Sequence, residues 1–278
     1  MINQTLFSVS MCVYGGDNAE HFKDAVESIL NQTVKPEEVI IVVDGPVSTP
    51  LDVVICEYEK LPCCKIIRLK ENQGHGVARR TSLSYCSYDI VALMDADDIS
   101  VPQRFEKELA ILLNHDELSI VGGDIAEFID SPENIVGYRK VPNEDNDIKE
   151  YIKKRCPMNQ MTVMFRKHDV ESVGGYLDWY CEEDYYLWLR MYLEGMNFAN
   201  IPEVLVNVRV GKEMYQRRGG IHYFKSEAKL QRYMLQNRII RVPTYIVNVL
   251  KRLIVQVLLP NRLRGWVFQK FAREQKIL

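Results

Sequence analysis

The sequence predicts an α/β fold, a mostly parallel sheet flanked by helices, with a helical extension at its C-terminal end. Three observations carry that prediction. Runs such as Val39–Val43 and Val91–Met94 are apolar without interruption, as strands buried on both faces are. Between such runs lie segments whose apolar residues recur at helical spacing. The strand-like runs end in glycines or acids, at Tyr14-Gly15-Gly16, Asp44-Gly45 and Asp95-Ala96-Asp97-Asp98. Ligands of parallel sheets sit beyond those carboxyl ends.

Taken in order, residues 6–14 read as the first strand. A helix follows, with Phe22, Ala25, Val26, Ile29 and Leu30 on one face and Asp17 with Glu20 as its cap. Residues 38–44 form the second strand, 51–61 a weak helix, 65–70 a third strand and 77–86 a helix. The apolar run 89–95 is the fourth strand, Pro102 opens a helix that continues to Asn114, and 119–129 is another strand. Farther on, Gly174-Gly175-Tyr176 and Cys181-Glu182-Glu183-Asp184 precede Tyr185–Met191, which has the apolar content of a partly buried helix.

Composition narrows the function. With 278 residues, 47% apolar and 26% charged, the chain can bury a large core, and disorder is excluded. The net charge of −3 is unevenly placed: residues 238–278 carry +8, which leaves −11 on the rest. An acidic body argues against nucleic acid, and the basic tail asks for an anionic surface. Seven cysteines without a CxxC pair fit a reduced cytoplasmic compartment, and the N-terminal residues lack the pattern of a signal peptide.

Three carboxylates within Asp95–Asp98 repel one another unless a cation joins them. Oxygen ligands of this kind select Mg²⁺ or Mn²⁺, which also hold substrate phosphates. The plainer alternative is a polar turn that caps the next helix. Asp44 stands where a base or ribose could donate to it, although Asp-Gly also serves an ordinary turn. Asn72-Gln73-Gly74-His75-Gly76 leads into a helix bearing Arg79 and Arg80, so its N–H groups and a guanidinium suit a diphosphate. In Glu182-Glu183-Asp184 the helix dipole would keep a carboxylate ionised and ready to accept a proton, while acids also favour helix starts for stability alone.

In combination, Ser10–Tyr14, Ala25–Thr33, Asn72-Gln73-Gly74, Asp95-Ala96-Asp97-Asp98 and Glu183-Asp184 occur in an order that resembles the family 2 glycosyltransferases. The resemblance spans roughly residues 5–210 and implies the Rossmann-like GT-A fold. The Val-Tyr-Gly opening and Asn-Gln-Thr-Val-Lys-Pro are similar to the branch that builds bacterial exopolysaccharides, such as amylovoran, and O-antigens. It implies transfer of a hexose or N-acetylhexosamine, with inversion, from a nucleotide-sugar, UDP-linked in the favoured case, to a polyprenyl-diphosphate-linked saccharide. By the same resemblance Tyr14, Asp44, Asn72, Gly74, Arg79, Asp95 and Asp97 hold the donor. Asp97 binds Mn²⁺ or Mg²⁺, with Asp95 bound directly or through water. Asp184 is the general base, and Glu183 lies on the acceptor side. Two departures bear on the base contact: Val43 precedes Asp44 where the family often has a second aspartate, and Pro46 replaces the usual Ser.

Residues 1–212 thus read as the transferase domain, with a nucleotide-sugar half over about 1–130 and an acceptor half over about 131–212. Residues 213–278 form a helical, basic amphipathic extension. Lys251 and Arg252 interrupt its apolar run, so it reads as lying on the inner membrane surface through residues 238–278, with Trp266 and Phe268 as anchors. The alternatives are a helical layer packed on the domain or a homodimer contact. Two other functions stay open. A sugar-phosphate nucleotidyltransferase would need Arg and Lys in the loop after the first strand, where Gly15-Gly16-Asp17-Asn18 stands. A non-catalytic nucleotide-sugar-binding scaffold would have no need of both Asp97 and Asp184.

Overall fold

The computed structural model describes residues 5–211 and 219–260. Its nine-stranded sheet comprises β1 (Ser8–Tyr14), β2 (Glu38–Asp44), β3 (Cys64–Arg68), β4 (Ile90–Asp95), β5 (Ile99–Ser100), β6 (Leu118–Phe128), β7 (Ile135–Arg139), β8 (Met164–Arg166) and β9 (Asn197–Arg209). The strand order is β3-β2-β1-β4-β8-β6-β9-β5, with β7 added on β6. The half β3-β2-β1-β4 is parallel, as the apolar runs predict. Beyond β4 the sheet is mixed, because β8 pairs antiparallel with both β4 and β6, whereas β6 and β9 run parallel. The three-residue β8 is too short to show a periodicity, so the reversal has no signature in the sequence.

Alternation along the central strands feeds two cores. Val39 and Ile41 join Val9, Met11, Phe22, Ala25 and Ile29 on one face, under α1 (Ala19–Leu30), α2 (Thr49–Tyr58) and α4 (Arg104–Asn114). Ile40 points the other way, into a core with Leu83 of α3 (His75–Tyr85) and Trp188 of α7 (Glu183–Leu193). On this second face β1 presents small residues, and Ser10 Oγ donates to Ser82 Oγ at 2.7 Å, which brings α3 down onto the sheet. The short helices α5 (Asp145–Tyr151) and α6 (Lys167–Ser172) flank the second half.

Two local expectations are corrected. The cap of α1 is Asn18, whose Oδ1 accepts from the N–H groups of Glu20 and His21, while Asp17 folds back to accept from the N–H of Tyr14 at 2.9 Å. Helix α4 starts at Arg104 rather than at Pro102, because the Pro102 carbonyl is turned aside to accept from the N–H of Thr33.

At the C-terminal end, α8 (Ile221–Gln236) buries Leu230 and Met234 in the second core, as do Ile239 and Ile240 beyond it. The following helix, α9 (Val242–Leu253), continues as a π-helical turn over Ile254–Leu258. It is turned inside out: its buried residues are Asn248 and Gln256, whereas Val242, Ile246, Val247, Leu250, Ile254 and Leu258 are 47–66% exposed. No helix among the described residues is long and apolar enough to cross a membrane. Trp266 and Phe268 lie outside the described residues.

Candidate active site

The carboxyl ends of β1, β2 and β4 open on one cleft of about 1020 Å³, lined by Tyr14, Asp44, Arg79, Asp95, Asp97 and Asp184 among others. Each is carried there by a different part of the fold. Tyr14 ends β1, with its ring centroid 6.2 Å from that of His75. Asp44 ends β2 and is almost fully buried; its carboxylate accepts from the N–H of Gln73 at 2.7 Å and of Gly74 at 3.0 Å. Its carbonyl accepts from Nδ2 of Asn72. The two loops approach this closely because residue 45 is glycine: φ is +85°, and a Cβ there would lie 2.5 Å from the Asn72 nitrogen. The N–H groups of Gln73 and Gly74, which the sequence offers to a diphosphate, are therefore engaged by Asp44. Asn72 and Gly74 shape the cleft by bracing Asp44.

Arg79 is the hub. It is buried on α3, its NH2 donates to Asp95 Oδ1 at 2.8 Å, and its Nε lies 3.9 Å from Glu183 Oε1. Burial is the largest influence and works against its charge, but Asp95 first, with Cys12, Tyr176 and Glu183, together outweigh it, so the guanidinium stays protonated.

The three carboxylates after β4 do not form one cluster. Asp98 turns inward, 2% exposed, and accepts from the N–H of Arg209 at 2.9 Å, which ties this loop to β9. Burial, with Asp97 and Asp95 adding to it, raises its pKa well above the carboxylate range. All three border the cleft, with Asp95 and Asp97 less buried than Asp98. Among the described residues no group of three or more His, Cys, Asp or Glu side chains is placed to hold a metal by itself. Two carboxylates, with the rest of the shell from substrate phosphates and water, nonetheless fit a Mg²⁺- or Mn²⁺-type ion.

Opposite them, α7 begins at Glu183 with Glu182 as its N-cap. Asp184 Oδ1 accepts from the N–H of Tyr185 at 2.6 Å, and Oδ2 lies 3.9 Å from Cys156 Sγ. The dipole argument predicts low pKa values here, and burial reverses it. Burial first, and then the charge of Glu183, push Asp184 up to about 6; Arg79 and Arg139 pull it back only in part. Glu183 is raised as well, by burial against Arg79, and Glu182 is raised well above the usual range by burial and by Glu227. Tyr223 Oη donates to Glu182 Oε1 at 3.1 Å, and Arg252 Nε lies 2.8 Å from Glu227 Oε2. The helices beyond residue 219 thus close one side of the cleft.

Sequence reasoning overlooked several lining residues. Cys12, near the end of β1, has its thiol pushed up to about 12 by burial and acts as a neutral wall. Arg139, Arg155 and Arg252 line the cleft as well. Behind the lining, Gln160, buried between Arg79 and Asp184, carried no signal, since a lone glutamine has no motif.

Residues 8–171 match the family model described as Glycosyl transferase family 2. An uncharacterized glycosyltransferase of Haemophilus influenzae is 40% identical over 96% of this chain and 99% of its own length. The UDP-Gal:alpha-D-GlcNAc-diphosphoundecaprenol beta-1,3-galactosyltransferase of Escherichia coli is 38% identical over 96% of each chain. The amylovoran biosynthesis glycosyltransferase AmsE of Erwinia amylovora is 35% identical over 95% of this chain and 98% of its own. Among solved structures, S. aureus TarS 1-349 in complex with UDP-GlcNAc superposes with a TM-score of 0.66 at 14% identity, covering 95% of this chain and 79% of that chain. The mannosyltransferase PcManGT of Pyrobaculum calidifontis, in complex with GDP-Man and Mn²⁺, gives 0.62 at 15% identity, over 92% of this chain and 72% of that one. The shared fold is that of these glycosyltransferases, and by the family match and the identity along nearly its whole length, this chain belongs to glycosyl transferase family 2.

Proposed function

We propose that the protein is an inverting, divalent-metal-dependent transferase. It moves a hexose or N-acetylhexosamine from a UDP-sugar to a saccharide carried on a polyprenyl diphosphate, in the synthesis of a bacterial surface polysaccharide. One observation carries the reading: a single cleft joins Asp44, Asp95 and Asp97 at the strand ends to Asp184 on the opposite wall, with Arg79 between them. The UDP preference is supported by the donor and lipid-diphosphate acceptor in the name of the E. coli relative.

In this reading Tyr14 and Asp44 border the nucleoside, and Asp95 and Asp97 would hold the cation. When bound, such an ion neutralises charge on the leaving diphosphate. Asp184 takes the proton of the acceptor hydroxyl as its oxygen attacks the anomeric carbon from the face opposite the diphosphate. The bond from that carbon to the diphosphate oxygen breaks as the new glycosidic bond forms. No covalent enzyme intermediate is needed, and the raised pKa of Asp184 suits the task. Glu183, buried behind Arg79, borders the acceptor side.

Residues 1–212 form the transferase unit in this proposal, and 213–278 an extension that seats it on the cytoplasmic face of the membrane. The support is the inverted helix α9, whose amides face the protein and whose apolar stripe faces outward, flanked by Arg241 and Lys251. A helix of that pattern with basic flanks matches an anionic lipid surface.

The first experiment measures transfer with UDP-galactose, other UDP-sugars, and GDP- and dTDP-sugars, with and without Mn²⁺, in the wild type and Asp97→Ala. Turnover of a UDP-sugar only with metal is expected, with a loss of at least about a hundredfold in kcat/KM for Asp97→Ala. Absence of turnover with every donor, or full activity after chelation, overturns the reading.

A further inference from the structure

Between Arg79 and Asp184, which both line the cleft, lies the buried Gln160, in the short 3₁₀ turn Gln160–Thr162. The turn is held rigidly from both sides. Asn159 Nδ2 donates to the Gly123 carbonyl at 2.8 Å, the N–H of Gly123 donates to Thr162 Oγ1 at 3.0 Å, and the N–H of Leu93 donates to the Val163 carbonyl at 2.8 Å. It is thus pinned between β4 and β6, and the Gln160 side chain is 7% exposed.

Only one orientation of its amide satisfies the neighbours. The oxygen accepts from Arg79 NH1 and Nε, both at 2.9 Å, and the nitrogen donates to Asp184 Oδ2 at 3.2 Å. The opposite orientation sets oxygen against carboxylate and NH₂ against guanidinium. Because Arg79 NH2 also donates to Asp95 Oδ1, the result is an unbroken bridge Asp95–Arg79–Gln160–Asp184, with Gln160 buried behind the cleft lining.

We propose that Gln160 is a positioning residue, which fixes the carboxylate of Asp184 in its ionised, acceptor-facing orientation and ties it to the donor side through Arg79. The inference rests on the reading of Asp184 as the base. A neutral bridge suits that role. A guanidinium in direct contact would draw the carboxylate's pKa down and blunt it as a base, whereas an amide orients it without adding charge. The charged and titratable groups around Asp184 are Glu183 and Glu182 on α7, Arg79 on α3, Arg139 on β7, and Cys156 and Tyr176 on the intervening loops. Among the hydrogen bonds that the described residues make to its Oδ2, that from Gln160 is the one given by an amide.

The test compares Gln160→Met, which keeps the volume and removes both arms, with Gln160→Glu, which keeps the acceptor for Arg79 and loses the donor to Asp184. Asp184→Asn is the reference. Steady-state transfer is measured from pH 5 to 9, with thermal unfolding of each variant alongside. In Gln160→Met we expect kcat to fall about a hundredfold, with donor KM held within about twofold, since misplacing a catalytic group by about 1 Å costs that much. Losing a hydrogen bond to the ionised form moves the acid limb of the profile to higher pH, and Gln160→Glu, which adds a like charge, moves it further. An unchanged acid limb in both variants, or a loss of kcat that only tracks a loss of thermal stability, overturns the proposal while Asp184→Asn stays inactive. Full activity of Asp184→Asn overturns the base reading itself, and the inference with it.

Discussion

At the residue scale the site turns on how burial sets the charge of three consecutive acids. Asp184 is shifted from its ordinary 3.8 to about 6 by burial, with Glu183 adding to the shift. A base must be ionised, so kcat/KM is expected to fall as the pH drops through about 6, which a pH–rate profile measures. The same shift destabilises the folded protein at neutral pH. The folded state holds this proton more tightly than the unfolded chain, so its stabilising contribution is complete at low pH. That contribution is lost as the pH rises through the window from 3.8 to about 6. Asp184→Asn is therefore expected to abolish transfer, to retain donor binding and to raise Tm by a few degrees at pH 7, as thermal unfolding and donor titration would read. A lowered Tm would mean that the ionised form is better accommodated than its surroundings imply. Tyr14, Asp44, Asp95, Asp97 and Asp184 were legible because each sits at a strand end or a helix start, features the local sequence marks. Gln160 and Cys156 were not, because their roles arise from what they touch.

At the element scale, the position of Asp95 depends on how β4 is supported. Arg104 of α4 is fully buried; its Nε donates to Glu108 Oε1 at 3.0 Å and its NH2 to the Leu93 carbonyl at 2.8 Å, two residues before Asp95. Burial pushes Glu108 up to about 7, and Arg104 holds it back. Removing one member of a buried pair leaves the other without compensation, so Arg104→Met is expected to cost about 3–5 kcal/mol in chemical denaturation. A cost below about 1 kcal/mol would show that the pair is replaceable. Pro102 announced a helix through Asn114 in the sequence, but nothing local marked Arg104 and Glu108 as buried; contacts with β4 decide that. Where the caps were misassigned, at Asp17 and Pro102, a neighbouring residue competed for the same role and tertiary contacts chose between them: Asn18 took the cap, and the chain around Pro102 was drawn toward Thr33.

At the scale of the whole molecule, the reversed helix α9 links the cleft to the outside. Its inner face supplies Arg252 and Gln256 to the cleft wall, and its outer face is the stripe Val242, Ile246, Leu250, Ile254 and Leu258. If the stripe seats on lipid, the cleft opens beside the surface that carries the acceptor. The triple variant Ile246→Ser, Leu250→Ser, Ile254→Ser is expected to lose most of its flotation with vesicles of anionic lipid while keeping its fold by circular dichroism, because these side chains contribute to neither core. Unchanged flotation rules the stripe out as the seat. A shift from dimer to monomer in the same variant, measured by light scattering, would assign it to a second copy.

The sequence by itself determined the parallel half of the sheet, the acids and glycines at its strand ends, the acidic start of α7 and the polar–apolar periodicity of α9. These are local properties, written in runs and spacings that adjacent residues alone produce. Tertiary structure decided the rest. It committed the N–H groups of Gln73 and Gly74 to Asp44, tied Asp98 to the backbone of Arg209, raised the pKa of Asp184 against the helix dipole, reversed β8 in the sheet and faced the apolar side of α9 outward. Each of these depends on which segments, far apart along the chain, the strand order brings within a few ångströms. Burial and hydrogen bonding act over that distance, and no window of sequence contains both partners.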